Sequence, residues 1–281
     1  MGRLDGKIAL ITGTGGGQGR DAALLFAAEG AKIVGCDLKV EGAAETVELV
    51  KAAGGEMVSL APLNLSDEIE VKKLIDFAVE TYGGFDILYN NASGCRFGAV
   101  TELSREDWDF TLDNELTLIF LAVKHGTPVL EKRGGGVIIN TASVAGMTGA
   151  GAMPGNVPGG LAHAVTKAGV IAMTRVLACE LSPLNIRVNS IAPGLILTPG
   201  LEPLVGDPDS PFRKGYMDAQ LIKRVGLGDD IARCALYLSS DESTYVTGAN
   251  FVVDGGLSAA GGAGRAEVPT NTDAISSLSF N

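Results

Sequence analysis

Short apolar runs alternate with amphipathic helical stretches along most of this chain, and this alternation limits the possible folds more than any other feature. Seven runs predict buried strands: Lys7–Thr12, Lys32–Cys36, Met57–Leu60, Asp86–Tyr89, Val137–Thr141, Ile186–Ile191 and Asn250–Val253. Helical patterns lie between them, over Asp21–Glu29, Glu68–Tyr82, Arg105–Glu131 and Leu161–Leu181. Strands that alternate with helices in this way form a parallel sheet with helices on both faces. We therefore predict an α/β protein with a doubly wound parallel sheet.

Length and composition predict one domain followed by a tail. The 281 residues are 46% hydrophobic, which is enough for one substantial core. We predict a single domain over residues 1–260, with a proline-rich lid segment over about 195–226. Residues 146–160 are rich in Gly, Met and Pro and are predicted to form an irregular loop that borders the substrate site. Residues 261–281 lack the regular spacing of apolar residues and are predicted to be a C-terminal arm or a partly disordered tail.

Charge and composition argue against several classes of partner. A net charge of −11 is unfavourable for binding a phosphate backbone, so we expect no nucleic-acid partner. No apolar stretch has the ~18–20 residues that cross a bilayer, and the N-terminus lacks a signal-peptide pattern. We expect a cytoplasmic protein that does not bind membranes, with four scattered, reduced cysteines. Two histidines, His125 and His163, cannot make a His-rich metal site, and nothing points to a carboxylate-only one.

A glycine-rich turn follows the first predicted strand, at Thr12–Arg20 with the sequence TGTGGGQGR. Such a turn lets the backbone approach a pyrophosphate at the positive N-terminus of the next helix. Asp37 ends the second strand, where a carboxylate can accept both adenosine ribose hydroxyls and would repel a 2′-phosphate. The turn has no basic residue placed for a 2′-phosphate, and we interpret Lys39 as a solvated side chain. The sequence therefore favours NAD over NADP.

Several ordered landmarks resemble the short-chain dehydrogenase/reductase family between Leu4 and about Ser258. They are the glycine turn, Asn90-Asn91-Ala92-Ser93 after strand four, Asn114 in a helix, Ser143 after strand five, Pro193-Gly194 followed by Thr198, and Val253-Asp254-Gly255-Gly256 at the last strand. Ser93 stands where the family has a glycine. The resemblance implies a Rossmann-like subunit that forms a homo-oligomer, a dimer or a tetramer, through its two long central helices.

The resemblance also implies which residues bind the dinucleotide. The expected cofactor-binding residues are Gly13, Gly17, Gln18, Gly19, Asp37, Leu38, Asn64, Leu65, Asn91, Ala92, Lys167, Pro193, Gly194, Ile196 and Thr198. In this set, Asn64 and Leu65 would flank the adenine. Ile196 and Thr198 would hold the nicotinamide carboxamide.

The catalytic stretch departs from the family pattern. The family's proton donor is a tyrosine four residues before a lysine, and here His163 stands four residues before Lys167. Residues at this spacing share a helix face, so both would point at the cofactor. An imidazole has an unperturbed pKa of ~6.5, and a nearby ammonium favours its neutral form, which is a competent general base. Tyr216, in the lid segment, is the one tyrosine that could reach this centre.

By the same resemblance, we predict a catalytic set of Ser143, His163, Lys167 and Asn114. Ser143 would bind the substrate oxygen, and His163 would carry the proton. Lys167 would fix the nicotinamide ribose, and Asn114 would hold a relay water. The implied reaction is hydride transfer between NAD(H) and a secondary alcohol or ketone, with a small, mainly apolar cyclic or aromatic substrate. Two alternatives stay open: a non-redox lyase, isomerase or dehydratase that uses His163 as acid and base, and an NAD-binding pseudoenzyme.

Overall fold

A parallel sheet forms the centre of the molecule. The computed structural model describes residues 2–148 and 160–260. The strands in this part of the chain are β1 Ile8–Thr12, β2 Lys32–Cys36, β3 Glu56–Leu60, β4 Ile87–Asn90, β5 Gly136–Thr141, β6 Ile186–Pro193, β7 Ile196–Leu197, β8 Gly226–Leu227 and β9 Asn250–Val253. Seven of them make one parallel sheet in the order β3-β2-β1-β4-β5-β6-β9. Because the order reverses between β1 and β4, the sheet is doubly wound, and the predicted fold class is confirmed.

Helices cover both faces of this sheet. They are α1 Gly17–Ala28, α2 Val40–Ala52, α3 Glu68–Tyr82, α4 Arg105–Leu112, α5 Leu118–Lys132, α6 Leu161–Leu181, α7 Glu202–Val205, α8 Pro211–Ala219 and α9 Gly228–Ser239. One buried apolar cluster joins the sheet to α3, α5 and α6, and a second joins its other face to α1, α2 and α9. The inner strands β1 and β4 are buried along their whole length. This explains why they have continuous apolar sequences and no alternation.

The long helix predicted over Arg105–Glu131 is divided in the structure. A π-helical turn at Asp113–Thr117 separates α4 from α5 and contains Asn114 and Glu115. Inserted π turns break the regular helical register and occur frequently at functional sites. Periodicity over a whole helix does not show such a local change, so the sequence prediction missed it.

The predicted lid segment has more regular structure than its weak periodicity suggests. It includes α7 and α8, and its two short strands, β7 and β8, pair in parallel. Leu195, Val205, Tyr216 and Val225 form a small buried cluster beneath it. The central part of the predicted loop over 146–160 and the whole predicted tail lie outside the described residues. Within the described part of the chain, no helix is both long and apolar enough to cross a membrane.

Candidate active site

A cavity of about 1290 Å³ opens at the carboxyl ends of the central strands. Its wall includes Gly13 after β1, Asp37 after β2, Asn91 after β4, Ser143 after β5 and Gly194 after β6. Ligands of doubly wound sheets bind at this edge, where the strand order reverses. The fold therefore brings the glycine turn and the predicted catalytic residues to one site.

The glycine turn is shaped by close backbone packing. Gly13 and Gly17 have φ angles of 74° and 53°, a left-handed conformation that favours glycine. A Cβ atom on Gly19 would lie 2.1 Å from the Gly13 carbonyl oxygen, so α1 can approach the turn only with glycine there. The Asn91 side chain donates a hydrogen bond of 3.0 Å to the Thr12 carbonyl and ties the end of β4 to the turn. The first turn of α1 contains no acidic residue, which leaves its positive end suited to an anion.

Asp37 lines the cavity beside this turn. Its Oδ2 accepts a hydrogen bond of 2.7 Å from the Gly15 N–H, and its Oδ1 accepts one of 2.8 Å from the Lys39 N–H. A carboxylate has about four acceptor positions, so lone pairs remain for ribose hydroxyls. The nearby Arg20 guanidinium donates to Thr46 and forms an ion pair with Glu45. Lys39 is exposed and lines the mouth of the cavity.

The predicted catalytic residues all line the same cavity. The Ser143 hydroxyl accepts a hydrogen bond of 3.1 Å from the Ala145 N–H, which orients it at the end of β5. The Asn114 side chain donates to the Phe110 carbonyl over 2.9 Å, and its backbone carbonyl accepts from Gly94 over 3.1 Å. These contacts place Asn114 at the cavity wall with its amide nitrogen engaged within the helix.

Glu115 is the important residue that sequence reasoning missed. Its side chain is fully buried, and each carboxylate oxygen lies 2.9 Å from Nδ1 of His163. Ser93 Oγ and the Thr166 hydroxyl also donate to it. The available signal was an acidic residue directly after Asn114, in a helix that is otherwise apolar on its inner side. Its partner could not be read from the sequence, because His163 lies 48 positions further along the chain.

The charge of Glu115 is set by its surroundings. Burial alone would raise the pKa of its carboxyl, but the Lys167 ammonium, the His163 imidazole and the Thr166 hydroxyl together lower that pKa to about 2. Lys167 Nζ lies 3.7 Å from Glu115 Oε1 and donates to the Thr141 carbonyl over 3.1 Å. Sequence reasoning considered only the Lys167 ammonium beside His163. A carboxylate contacts the imidazole directly.

Cys95, Glu115 and His163 have potential metal-ligand atoms within 4.8 Å of one another. Burial raises the pKa of the Cys95 thiol to about 12, so its sulfur is protonated at neutral pH. The Glu115 oxygens already accept hydrogen bonds, and the Lys167 ammonium lies beside them. A cation would have to displace these donors and approach an ammonium, so we interpret the cluster as a hydrogen-bond network.

Aromatic side chains line the remaining wall of the cavity. The half-exposed Phe97 ring lies 6.0 Å from the His163 ring, between ring centres. Phe212 and Tyr216 pack against each other at 5.0 Å on the lid segment. Burial raises the pKa of Tyr216 to about 12, which makes its phenol a weaker candidate for the base than His163.

Most of the predicted cofactor-binding residues line the cavity. These are Gly13, Gly17, Gln18, Asp37, Leu38, Asn64, Leu65, Asn91, Ala92, Lys167, Pro193, Gly194 and Thr198. Gly19 lies behind the turn, where it allows close packing and does not form part of the cavity wall. Ile196 is 3% exposed and packs in the core, while its neighbour Leu195 faces the cavity. Leu195 precedes the short strand β7, which begins at Ile196.

Comparisons with known proteins agree with the fold. A family described as enoyl-(acyl carrier protein) reductase matches residues 13–258. The 3-oxoacyl-[acyl-carrier-protein] reductase FabG of Thermotoga maritima is 38% identical, over 91% of this chain and 99% of the relative. Cyclohexanol dehydrogenase of Acinetobacter sp. strain SE19 is 32% identical, over 90% of this chain and 95% of the relative.

A solved structure is similar over nearly the same length. The 7α-hydroxysteroid dehydrogenase complexed with NADH and 7-oxo glycochenodeoxycholic acid aligns with a TM-score of 0.83 and 33% identity. The alignment covers 90% of this chain and 95% of that structure. The chain thus belongs to the short-chain dehydrogenase/reductase family of oxidoreductases.

Proposed function

We propose that this protein transfers hydride between NAD(H) and a secondary alcohol or ketone, with His163 in the role of the family's tyrosine. One observation carries the proposal: a single cavity joins the glycine turn and Asp37 to Ser143, His163 and Lys167. A dinucleotide held at the turn would extend along this cavity towards the imidazole. The residues present therefore fit the cofactor that the family uses.

The proton chemistry follows from the side chains at the inner end of the cavity. When bound, NAD supplies the acceptor for the hydride that leaves the carbinol carbon as the alcohol becomes a ketone. Neutral His163 takes the hydroxyl proton, and the Ser143 hydroxyl donates a hydrogen bond to the substrate oxygen. The proton then passes from the imidazolium to solvent. Lys167 binds the nicotinamide ribose, as the resemblance implies.

NAD is the proposed cofactor because Asp37 lies beside the glycine turn, where we expect the adenosine ribose. Its carboxylate is held beside the Gly15 N–H, and a 2′-phosphate there would face a negative charge. The similar 7α-hydroxysteroid dehydrogenase structure contains NADH. Among the described residues that line the cavity, exposed Lys39 is the one cation near this end, and it would favour a phosphate.

Asp37→Ser tests the cofactor preference. We expect the ratio of kcat/KM for NAD over NADP to fall by on the order of 10-fold to 100-fold, about the effect of one or two lost charge-assisted hydrogen bonds. Lys39→Ala is the matched control, and we expect it to leave the NAD value unchanged. A preference for NADP in the native protein that Lys39→Ala abolishes would contradict the proposal.

An apolar cyclic or aromatic substrate is the second part of the proposal. Phe97, Phe110 and Phe212 line the cavity, and the Phe97 ring lies 6.0 Å from the His163 ring. Flat aromatic walls favour apolar rings through burial and stacking. One relative is a cyclohexanol dehydrogenase, and the similar solved structure contains a steroid-type ligand.

We also propose a homo-oligomer, a dimer or tetramer built through α5 and α6. Phe120 on α5 and Val165 and Val176 on α6 are 52%, 44% and 62% exposed in the single chain. Exposed apolar residues on two neighbouring long helices suit a protein interface. Sedimentation analysis of the native protein tests this proposal, and a monomer at all concentrations would contradict it.

NADH formation from NAD over a panel of apolar secondary alcohols is the main experiment. We expect turnover by the native protein, and a fall in kcat/KM of about 10²- to 10⁴-fold in His163→Gln because the general base is lost. Tyr216→Phe is the matched control and should retain turnover. If only His163→Tyr forms NADH, the native protein is not an ordinary dehydrogenase. Substrate conversion without net change in NADH would favour the non-redox alternative.

A further inference from the structure

We propose that Glu115 is the positioning residue of His163: it fixes the imidazole with its proton on Nδ1 and supplies the negative charge that lets a histidine work beside Lys167. The proposal rests on the proposed function, because it explains how a histidine can act at a centre that also contains a lysine. It names a role for Glu115 that neither the sequence motifs nor the comparisons assign.

The hydrogen bonds around Glu115 have a defined direction. Ser93 and Thr166 donate to the carboxylate through their hydroxyls, and the nearby Lys167 ammonium has only protons to offer. An ionised carboxylate only accepts hydrogen bonds. The close contact with His163 is therefore satisfied only if Nδ1 carries the proton.

The two ring nitrogens of His163 have different roles. When one ring nitrogen of a neutral histidine is protonated, the other has a free lone pair. Because Nδ1 faces buried Glu115 and the ring lines the cavity, Nε2 is the nitrogen directed away from the carboxylate. The contact thus presents an unprotonated nitrogen to the substrate, as a base for alcohol oxidation requires.

A histidine beside Lys167 differs in charge from a tyrosine at the same position. A tyrosine that takes part in proton transfer alternates between neutral and negative, and an adjacent ammonium favours the negative form. A histidine alternates between neutral and positive, so the same ammonium opposes the imidazolium that forms when the base takes the proton. Glu115 places a carboxylate 2.9 Å from the imidazole and 3.7 Å from Lys167 Nζ. It offsets a repulsion that a histidine next to a lysine would otherwise create.

The π-helical turn and Ser93 hold Glu115 in place. The π-helical turn contains Glu115, whose side chain is completely buried. The hydroxyl of Ser93, the residue that replaces the family's glycine, lies 2.7 Å from Glu115 Oε1. His163, Glu115 and Ser93 thus form one contiguous network, and the serine provides a hydrogen bond that glycine could not.

The experiment compares the native protein with Glu115→Gln in two measurements. The first is nitrogen NMR of the imidazole rings in the protein without cofactor. The chain has only two histidines, so His125→Asn in both backgrounds leaves His163 as the single signal. We expect the Nδ1–H tautomer in the native background. In Glu115→Gln we expect a mixture, because a neutral amide can either donate or accept.

The second measurement is the pH profile of kcat/KM for alcohol oxidation. We expect Glu115→Gln to lose at least about 10²-fold in activity, the lower end of what a positioned base contributes. Its acid limb should move to lower pH, because the imidazolium has lost the neighbouring negative charge. NADH affinity, measured by fluorescence, should be unchanged. A purely structural role for Glu115 would lower activity without moving the acid limb or the tautomer ratio.

Glu68→Gln is the matched control, since Glu68 contacts the other histidine and neither of these two residues lines the cavity. A native His163 with its proton on Nε2, or the same tautomer and pH profile in Glu115→Gln, overturns the proposal. If Glu115→Gln does not fold, Glu115→Asp replaces it: the charge stays, but the shorter side chain weakens the contact, and an unchanged tautomer ratio and kcat/KM overturn the proposal. If no alcohol is oxidised by the native protein, the proposed function fails, and the tautomer measurement alone decides the role of Glu115.

Discussion

Two clusters in this molecule combine the same three residue types in different surroundings. The cavity cluster contains Glu115, His163 and Lys167, and the surface cluster contains Glu68, His125 and Lys124. The histidine–carboxylate distances are similar, 2.9 Å in the cavity cluster and 2.7 Å in the surface cluster. The carboxylate side chain is 0% exposed in the first and 39% exposed in the second. Composition and contact distance therefore do not distinguish them, whereas burial and the adjacent cavity do.

The physical difference lies in the solvent around the charges. The surface cluster links α3 to α5, where water and salt screen its ion pairs. In the cavity cluster the carboxylate side chain is fully buried, and a buried charge without its partners has a large desolvation cost. We therefore expect matched substitutions in the two clusters to have very different effects.

The largest difference should appear when the lysine of each cluster is replaced. Lys167→Met leaves the buried Glu115 carboxylate without its ammonium, and breaking a buried ion pair costs about 3–5 kcal/mol. Urea unfolding should record this loss, together with weaker NADH binding. Lys124→Met should unfold at the same urea concentration as the native protein. If Lys167→Met and Lys124→Met lowered the free energy of unfolding equally, the proposed difference between the buried and the surface cluster would be wrong.

The second-largest difference should appear in how the free energy of unfolding depends on acid pH, where Glu115 and Glu68 should contribute unequally. The pKa of Glu115 falls from 4.5 to about 2 on folding, so its ionised form stabilises the folded state above pH 4.5. This stabilisation is lost as the pH falls towards 2. Urea unfolding at a series of pH values should show a flatter dependence in Glu115→Gln than in the native protein.

Glu68→Gln is the comparison for that measurement. Hydrogen bonds from Lys124 and His125 lower the pKa of Glu68 to about 2 as well. Because Glu68 is exposed, we expect its contribution to the acid dependence to be smaller and to disappear at high salt. A salt-independent effect of Glu68→Gln larger than that of Glu115→Gln would reverse the ranking.

The smallest effect should come from the histidine of the surface cluster. His125→Asn removes a contact between two residues that do not line the cavity, so kcat/KM for alcohol oxidation should equal the native value. Thermal unfolding should also be unchanged within error. A large loss of activity in His125→Asn would mean that the long helix α5 transmits changes from its surface to the site.

The spacing of apolar residues along the chain was sufficient to predict many of the helices and strands. Helices over Glu68–Tyr82 and Leu161–Leu181 and the strand Asn250–Val253 have the predicted bounds. These elements bury a regular face, and periodicity reports that burial directly. The lid helices α7 and α8 were missed because helices this short depend on tertiary packing more than on local preference.

The sequence by itself determined the glycine turn, Asp37 at the end of β2, and the i, i+4 spacing of His163 and Lys167. Each depends on residues close together in the chain, where backbone geometry follows from residue type. Only the tertiary structure brought Glu115 to His163 across 48 positions and Ser93 to Glu115 across 22. It also set the charge of that carboxylate, because burial and the surrounding donors exist only once the sheet, the π-helical turn and α6 have packed together.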